Sequence, residues 1–301
     1  MSEKVIKSYK AFDKNMRCRD FQYEVGKEYE IDGDIKCCNR GFHACKSPIE
    51  VWDYYDMLNS RYAEVEQSGK IEKEENSTKV CSSHIKIKAE LKLADIINIG
   101  VEWLKDITSP SKVKIDGVLN DNGDRRKQIG SSGDYAQIGS SGDYAQIGSS
   151  GDYAQIGSSG DSAKIGSSGC SAKIGSSGYS AKIGSSGDYA QIGSSGYSAK
   201  IGSSGDSAKI GSSGCSAKIG SSGYSAKISS TGEDSVIMCA GNSSRAKAKV
   251  GSWITLAEWK WSDEKKHNVP VCVKTEYVDG ENIKADTWYR LQKGEFIEVI
   301  E

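Results

Sequence analysis

The chain has 301 residues, a formal net charge of −1 and 27% charged residues. This near-neutral balance argues against the strongly basic surface of a general nucleic-acid-binding protein. No run of about 18 apolar residues predicts a membrane-spanning helix, so no membrane partner is expected.

Nine cysteines are spread along the chain, and the polar start Met1-Ser2-Glu3-Lys4 lacks the pattern of an export signal. An odd number of cysteines without an export signal favours free thiols over a disulfide framework. The sequence therefore predicts a protein of the cytoplasm.

Residues 1–107 are long enough to bury a core of their own and are predicted to form a small α+β domain. Alternation of polar and apolar residues with a period of two indicates strands in this segment. The predicted strands are 5–12, 21–30, 61–66 and 84–88, with a charged loop at 70–79.

Two helices are predicted in this domain. Ser47, Pro48 and Glu50 form a capping box with proline at the first helical position, so a helix is expected through Val51 to Tyr55. Apolar residues at helical spacing predict an amphipathic helix from Leu93 to Leu104.

The middle of the chain is a repeat. The nonapeptide Ile-Gly-Ser-Ser-Gly-x-x-Ala-x recurs almost unchanged from Ile129 to Ile228. A short fixed period predicts a β-solenoid, here over residues 129–252 with two repeats in each coil. Residues 108–128 are expected to be a transition that includes an imperfect first coil.

Within each repeat the strand is expected around Asp134–Ile138, because side chains alternate between the two faces of a strand. Ala136 and Ile138 would then face the core, while Tyr135 and Gln137 would face solvent. The Gly-Ser-Ser-Gly segment is expected at the corners, where its glycines would adopt positive φ.

The position after the second glycine of the repeat is acidic only in part of the chain: it is Asp at 134, 143, 152, 161, 188 and 206 but Cys at 170 and 215. Nonapeptide rolls that bind calcium need a dependable cage of oxygen ligands. The solenoid is therefore expected to fold without calcium, and no cofactor is expected.

Residues 253–301 change character and alternate as strands. Asp279-Gly280 is a tight-turn signal between two of them. The segment is predicted to be a small β-meander that caps the last coil and covers its open edge. The predicted fold is thus mainly β, with a solenoid between a small α+β domain and a β cap.

Outward side chains of the repeat are the candidate binding residues. Exposed tyrosine is favoured at binding surfaces, and a ladder of lysines fits phosphates. These candidates are Tyr135, Tyr144, Tyr153, Tyr189, Lys164, Lys173, Lys182 and Lys200. The alternative interpretation is that the lysines only keep the sheet faces soluble and block edge pairing.

A second candidate is a metal site at Cys37, Cys38, His43 and Cys45, which are soft ligands close together in sequence. Zinc would require four ligands to converge tetrahedrally. The spacing lacks a Cys-x-x-Cys pair at each end, so reduced core cysteines beside a hydrogen-bonded histidine are favoured.

The segments Tyr9–Phe12, Phe21–Lys27, Cys37-Cys38, Gly41–Cys45 and Tyr54-Tyr55 together resemble an uncharacterised domain family of phage and prophage proteins from Gram-positive bacteria. Members of that family often continue into short glycine-rich repeats. The resemblance covers about the first 100 residues. It implies a viral or mobile-element origin and action in the cytoplasm of a bacterial host, but it brings no assigned activity.

The stretch Gly41–Pro48, which leads into a helix ending at Tyr54-Tyr55, also resembles the strand–Ser-Pro–helix segment of the ADP-ribosyltransferase superfamily. This resemblance implies that Glu64 or Glu66 on the next strand orients the ribose. Tyr9-Lys10 lacks the usual Arg or His, so a scaffold without catalysis is favoured.

We therefore expect a non-enzymatic, phage-encoded protein that binds a host macromolecule or signal and interferes with a host process such as antiviral defence. A host protein is the favoured partner, with a nucleic acid or nucleotide as the alternative for the lysine and tyrosine faces. Two different functions also stay open, namely an ADP-ribosyltransferase-like enzyme and a structural rod of the virion. Exposed edges and tyrosines also favour a homodimer.

Overall fold

The structure is a computed structural model that describes residues 5–74, 77–108, 118–120 and 128–300. It is mainly β, with 47% strand and 7% helix. The chain divides into two compact units between residues 103 and 104. None of the helices in the described ranges has the length and apolarity needed to cross a membrane.

The first unit contains an antiparallel sheet in the order β4-β7-β5-β1-β6. An additional pairing between β6 and β7 closes four of these strands into a ring, and β2 pairs with β3 as a separate ribbon. The elements are β1 Ile6–Phe12, β2 Arg17–Cys18, β3 Phe21–Gln22, β4 Glu28–Glu30, β5 Phe42–Cys45, β6 Arg61–Lys73, β7 Lys79–Leu91 and most of helix α1 Leu93–Ile107, which passes the boundary at residue 103.

The predicted amphipathic helix is confirmed as α1. The prediction of an α-helix after Pro48 is wrong. The chain forms a short 3₁₀ helix there instead, Ile49–Asp53, and no side-chain hydrogen bond caps its start. The carboxylate of Glu50 instead accepts hydrogen bonds from the Ser77 hydroxyl (2.7 Å) and the Thr78 hydroxyl (2.6 Å). A tertiary contact therefore uses the residue that would have completed the capping box.

The strand predicted at 21–30 is broken in two, because β3 ends at Gln22 and β4 begins at Glu28. Gly26 lies between them with φ +87°, a conformation that only glycine adopts without strain. In contrast, β6 is longer than predicted and continues into the expected charged loop as far as Lys73.

The second unit contains a β-solenoid of about seven turns, as the repeat predicted. From β9 (Gln128–Ser131) to β20 (Lys227–Ser230) each strand pairs in parallel and in register with the strand 18 residues further on, as in Ile147 with Ile165, so two nonapeptides form one coil. Alternate strands therefore belong to two different sheets, one of ten strands and one of nine.

The ten-stranded sheet begins with β8 Val118–Asn120, β10 Gln137–Ser140, β12 Gln155–Ser158, β14 Lys173–Ser176, β16 Gln191–Ser194, β18 Lys209–Ser212, β20 Lys227–Ser230 and β22 Arg245–Lys247. The nine-stranded sheet begins with β9 Gln128–Ser131, β11 Gln146–Ser149, β13 Lys164–Ser167, β15 Lys182–Ser185, β17 Lys200–Ser203, β19 Lys218–Ser221, β21 Val236–Cys239 and β23 Trp253–Ser262.

The interior of the solenoid is built from isoleucine, alanine and serine. Ile138, Ile156 and Ala154 are fully buried, as the alternation predicted. The first serine of each Ser-Ser pair also points inward at the end of its strand, and Ser158 is fully buried. The core is therefore narrow, because two of its three contributing side chains are very small.

The strands begin three residues later in the repeat than expected, as β10 starts at Gln137 and not at Asp134, so the tyrosines are at the corners and not on the sheet faces. Tyr135 has φ +57°, and the equivalent Ser162 has φ +56°. The expectation of positive φ at the repeat glycines is wrong, since among the described residues only this non-glycine position of the repeat is left-handed. Backbone bonds such as Tyr135 N–H to the Asp152 carbonyl (2.8 Å) stabilise the corners.

The second glycine of each repeat is required by close stacking of the coils. A Cβ built on Gly187 would overlap with the carbonyl oxygen of Gly169 in the preceding coil. The same conflict occurs one coil further on, between Gly205 and Gly187. These glycines therefore have a steric role and not the conformational one that the sequence suggested.

The aspartates at the corners connect successive coils. The Asp134 carboxylate accepts a hydrogen bond from the backbone N–H of Asp152 (2.9 Å), and the Asp152 carboxylate accepts one from Cys170 (2.7 Å). Asp188 and Asp206 form the same pair (2.8 Å). The acidic position of the repeat thus has a structural function within the chain.

The C-terminal segment forms two hairpins, not one meander. In the nine-stranded sheet β23 pairs with β24 (His267–Tyr277), whereas in the ten-stranded sheet β22 pairs with β25 (Tyr289–Gln292), which pairs with β26 (Glu295–Glu298). Each hairpin extends one sheet, so both open edges of the last coil are covered. The turn at Asp279-Gly280 connects strands of different sheets.

Candidate functional site

The eight solenoid candidates do not form one surface. Tyr135 and Tyr153 stack at a corner, with ring centroids 5.0 Å apart and planes 7° from parallel. Tyr144 lies at the opposite row of corners, and Tyr189 lies in the row of Tyr135 two coils beyond Tyr153. Lys164, Lys182 and Lys200 are exposed on the nine-stranded sheet, whereas Lys173 belongs to the ten-stranded sheet and is only 3% exposed.

The structure gives the metal hypothesis no support. The Nε2 atom of His43 accepts a hydrogen bond from the backbone N–H of Cys38 (3.0 Å), and Cys45 is buried. Throughout the described ranges, no three His, Cys, Asp or Glu side chains lie close enough together to hold a metal ion.

The two glutamates proposed for ADP-ribosyl transfer are both in ion pairs on β6. Glu64 pairs with Lys7 (2.9 Å), and Glu66 pairs with Lys88 (3.1 Å). Neither glutamate lines the pocket described next.

The first unit contains a pocket of about 840 Å³. Its walls come from β1, β5, the ribbon of β2 and β3, the 3₁₀ segment and the start of β7, so it lies at the meeting point of most elements of the unit. Basic and aromatic side chains dominate the lining. They are Lys10, Arg19, Arg40, His43, Lys79, Tyr9, Phe21, Tyr23, Phe42, Tyr54 and Tyr55.

Lys10 is the most unusual of the basic residues, because it is only 4% exposed. Its Nζ donates to the His43 carbonyl (2.9 Å) and contacts the Cys18 sulfur (3.5 Å). It also lies 5.4 Å from the centre of the Tyr23 ring. Burial lowers the pKa of Lys10, and within the described part of the chain no carboxylate pairs with it.

Lys79 forms a second polar cluster in the lining. Its Nζ donates to the Cys38 sulfur (2.9 Å), pairs with Glu74 (3.4 Å) and lies 4.6 Å from the Tyr54 ring centre. Burial acts to lower the pKa of Lys79, but the hydrogen bond to Cys38 and nearby negative charges raise it above its usual value. Lys79 is therefore a fixed cation at neutral pH.

The pKa of His43 reflects the burial and the positive charges around it in the pocket. Burial, followed by the positive charges of Lys10 and Lys79, lowers the pKa of His43 to about 4. The imidazole is therefore neutral at pH 7 and accepts the Cys38 N–H. A cationic surrounding that discourages protonation of a histidine is one that attracts an anion.

Arg19 and Arg40 add two further cations. Arg40 is positioned by hydrogen bonds to the backbone carbonyls of Asp32 (2.7 Å) and Asp34 (3.2 Å). Arg19 is exposed, with φ +55°, and no hydrogen bond or ion pair is formed by its side chain with any described residue. Asp20 is the single acidic residue in the lining.

The aromatic side chains form a connected cluster. Phe21 contacts Tyr23 with ring centroids 4.7 Å apart and Phe42 at 6.1 Å. Phe21 remains 43% exposed, so part of its ring surface is available to a ligand. Edge and face contacts between these rings hold the wall in a defined shape.

Sequence reasoning missed this pocket although it identified several of its residues. Cys38, His43, Cys45 and Tyr54 appeared as parts of other hypotheses, and all four line the pocket. Lys10 carried a usable signal, because it shares the buried face of β1 with Ser8 and Phe12 two residues away on either side. A lysine in the inward register of a strand is rare and indicates a functional or paired group.

Residues 6–99 match a family described as a domain of unknown function (DUF7666). Every residue that lines the pocket falls inside this match, whereas the solenoid lies outside it. No curated protein and no solved structure matches the chain. The pocket is therefore lined entirely by residues of the matched segment.

Proposed function

We propose that the chain is a non-enzymatic binding protein whose N-terminal domain holds a small anionic ligand with an aromatic ring, such as a nucleotide. The observation that supports this most strongly is the pocket of about 840 Å³ with four Lys or Arg residues, six aromatic rings and one acidic residue in its lining. Its volume falls in the range of about 300–1,000 Å³ that is typical of small-ligand sites.

The charges of the pocket call for an anion. Lys10 is almost fully buried without a carboxylate partner among the described residues, and burial of an unpaired cation is unfavourable. A phosphate group would supply the missing negative charge, and Arg19 would be free to make charge-assisted hydrogen bonds with it. Arginine is suited to this task because its planar guanidinium binds phosphate through two parallel hydrogen bonds.

The aromatic wall calls for a flat ring in the ligand. The exposed part of Phe21 and the ring of Tyr54, which is 45% exposed, are available for stacking. Stacking on a side-chain ring is worth roughly 1–3 kcal/mol for a nucleobase. A compound that combines a phosphate with a base or another aromatic ring would use both properties of the pocket.

The biological setting is part of the proposal. The resemblance of the N-terminal segment to phage and prophage proteins supports a role in the cytoplasm of a bacterial host. A ligand of this class would then be a host metabolite or signal, and its capture would interfere with a host process such as antiviral defence. The positions of Glu64 and Glu66 outside the pocket favour binding over ADP-ribosyl transfer.

A second candidate function concerns the solenoid, which supports a structural role as a rod. Its in-register pairing continues without a break from β8 to β22 in one sheet and from β9 to β23 in the other. Eight strands at about 4.8 Å correspond to a stack roughly 35 Å long. Recovery of the protein in purified particles would support a virion role, and its absence from them would count against it.

The pocket proposal is tested by isothermal titration calorimetry against nucleoside monophosphates, dinucleotides and cyclic nucleotides. Small molecules released from the purified protein and identified by mass spectrometry would guide the panel. We expect one class to bind, and Arg19→Gln to weaken it about 10- to 100-fold because a charge-assisted hydrogen bond is lost. Lys10→Met should abolish binding.

Arg17→Gln is the matched control, because Arg17 lies two residues from Arg19, is exposed and bonds Gln22 rather than the pocket. It should bind as the unmodified protein does. Failure of the whole panel and of the extract to yield a ligand would refute the proposal. Equal weakening by Arg17→Gln and Arg19→Gln would also refute it, since the effect would then reflect overall charge.

A further inference from the structure

The outer face of the nine-stranded sheet differs from the pocket in being open, regular and cationic. Outward positions on its strands form one column of Gln128, Gln146, Lys164, Lys182, Lys200 and Lys218 and a second column of glycines. None of these positions is acidic, because the acidic residues of the repeat all lie at the corners. Charge is therefore segregated by position within each coil.

The four lysines of this column lack partners within the part of the chain that the structure describes. All of Lys164, Lys182, Lys200 and Lys218 are exposed, and no described residue forms an ion pair or side-chain hydrogen bond with any of them. The parallel register places each lysine directly beside the next, about 4.8 Å apart along the sheet. Like charges in adjacent register positions repel each other, so this column is stabilised by any ligand that brings a row of negative charges.

A groove runs beside the lysines. It has a volume of about 1010 Å³ and extends from Gln128 to Lys218, across six strands or roughly 24 Å. The glycines form its floor, and a Cβ built on Gly148, Gly166 or Gly184 would meet no atom within 4 Å. A linear ligand can therefore approach the backbone of the sheet closely while the lysine stems border it.

The same face ends in an apolar and aromatic platform. Beyond Lys218 the column continues with Val236, Trp253 and Tyr277, all 43–49% exposed. The rings of Trp253 and Tyr277 lie with centroids 5.1 Å apart. Met238, 55% exposed, replaces the glycine of the neighbouring column.

We propose that a single-stranded nucleic acid binds along this face, with its phosphates at the lysine column and bases stacked on Trp253 and Tyr277. A positive groove that follows the backbone, combined with aromatic side chains for the bases, is the arrangement used for binding single strands without sequence preference. A flexible single strand can adapt its phosphate spacing to the lysines, whereas a rigid duplex cannot follow one straight column. This inference is independent of the pocket, since it uses the other unit.

The test is fluorescence anisotropy of the full chain with a labelled 12-nucleotide single strand at several salt concentrations. Four phosphate contacts predict that the logarithm of the association constant falls with the logarithm of salt with a slope of about −3. The variant with Lys164, Lys182, Lys200 and Lys218 all changed to Gln should bind at least tenfold more weakly and lose most of that slope. Trp253→Ala should weaken binding about tenfold while leaving the slope unchanged.

The matched control changes four other lysines of the same unit to Gln: Lys249, Lys260, Lys265 and Lys266. It alters the net charge by the same amount and should bind as before. Gly184→Val narrows the groove where space is open, so it should keep the fold and reduce binding. The proposal is overturned if the unmodified chain does not bind the single strand, if the control loses binding equally, or if a duplex or an acidic protein binds in preference.

Discussion

The N-terminal domain and the solenoid differ in how the sequence brings polar side chains together. In the solenoid each position recurs every 18 residues on the same sheet and lies beside the equivalent position of the next coil, as Gln146 lies beside Lys164. In the domain the important polar groups come from distant positions, as when Lys10 donates to the carbonyl of His43. Repetition produces columns, whereas a non-repeating sequence produces a pocket.

Because of this difference, one substitution is expected to have different effects in the two regions. In a column each side chain makes a small and separate contribution to binding or stability, so single positions can vary. The corner position shows this, because it is occupied by Asp, Cys or Tyr in different repeats. In the pocket, Lys10, His43 and Cys18 depend on each other's position. We therefore expect the steepest structural effects inside the solenoid core and the steepest functional effects in the pocket.

The largest expected effect comes from a charge in the solenoid core. Ile183 is 4% exposed, so Ile183→Asp buries a carboxylate without a partner and should reduce the free energy of unfolding of the solenoid by at least about 4 kcal/mol. Urea denaturation followed by circular dichroism measures the loss. The neighbouring outward change Lys182→Asp should cost less than about 0.5 kcal/mol, and comparable losses for the two would contradict the assigned faces.

The second prediction compares the effect on stability of substituting each of the two glycines of one repeat. Gly187→Ala places a methyl group against the backbone of Gly169, which cannot move without separating the coils, and should cost about 3 kcal/mol. Gly184→Ala meets open space and should be neutral or stabilising by about 0.5 kcal/mol, because alanine loses less backbone entropy. Both are measured as changes in melting temperature, and a reversed order would show that the coils do not stack at this distance.

These glycines show what the sequence could and could not predict. The solenoid, its two repeats per coil and its buried Ile and Ala followed from the period, because each residue's surroundings are set by neighbours 18 residues away. The strand position within the repeat and the role of the second glycine did not, because they depend on contacts between backbones of adjacent coils. The pocket could not be predicted from the sequence. It brings together Lys10, His43 and Lys79 because the strands close into a ring, and no local sequence pattern indicates that closure.

The third prediction concerns the pH dependence of the N-terminal domain. The pKa of His43 is about 4 in the folded state, below the value of about 6.5 expected when unfolded. The unfolded chain therefore binds the extra proton first, and stability should fall as the pH decreases from about 6.5 to about 4. Because His43 is only partly buried, we expect the free energy of unfolding to fall by about 1–2 kcal/mol, which is less than the whole pKa shift would give.

His43→Gln keeps an acceptor for the Cys38 N–H and removes the titration, so its unfolding free energy should differ less between pH 7.5 and 4.5 than that of the unmodified protein. His267→Gln is the control, since His267 is exposed on β24. An unchanged pH dependence in His43→Gln would mean that the pocket does not repel a proton at this position.

The smallest effect tests the links between coils at the corners. Asp152→Ala removes the acceptor for the Cys170 N–H (2.7 Å) and should cost about 1 kcal/mol, the usual net value of one hydrogen bond. Cys170→Ala, at the equivalent position one coil later, removes no carboxylate and should cost less. Hydrogen exchange resolves the two, because protection of the Cys170 amide should drop in Asp152→Ala while protection in the strands remains. If the Cys170 amide exchanged in Asp152→Ala as it does in the unmodified protein, the corners would be held by the backbone bonds alone, and the aspartates of the repeat would need another explanation.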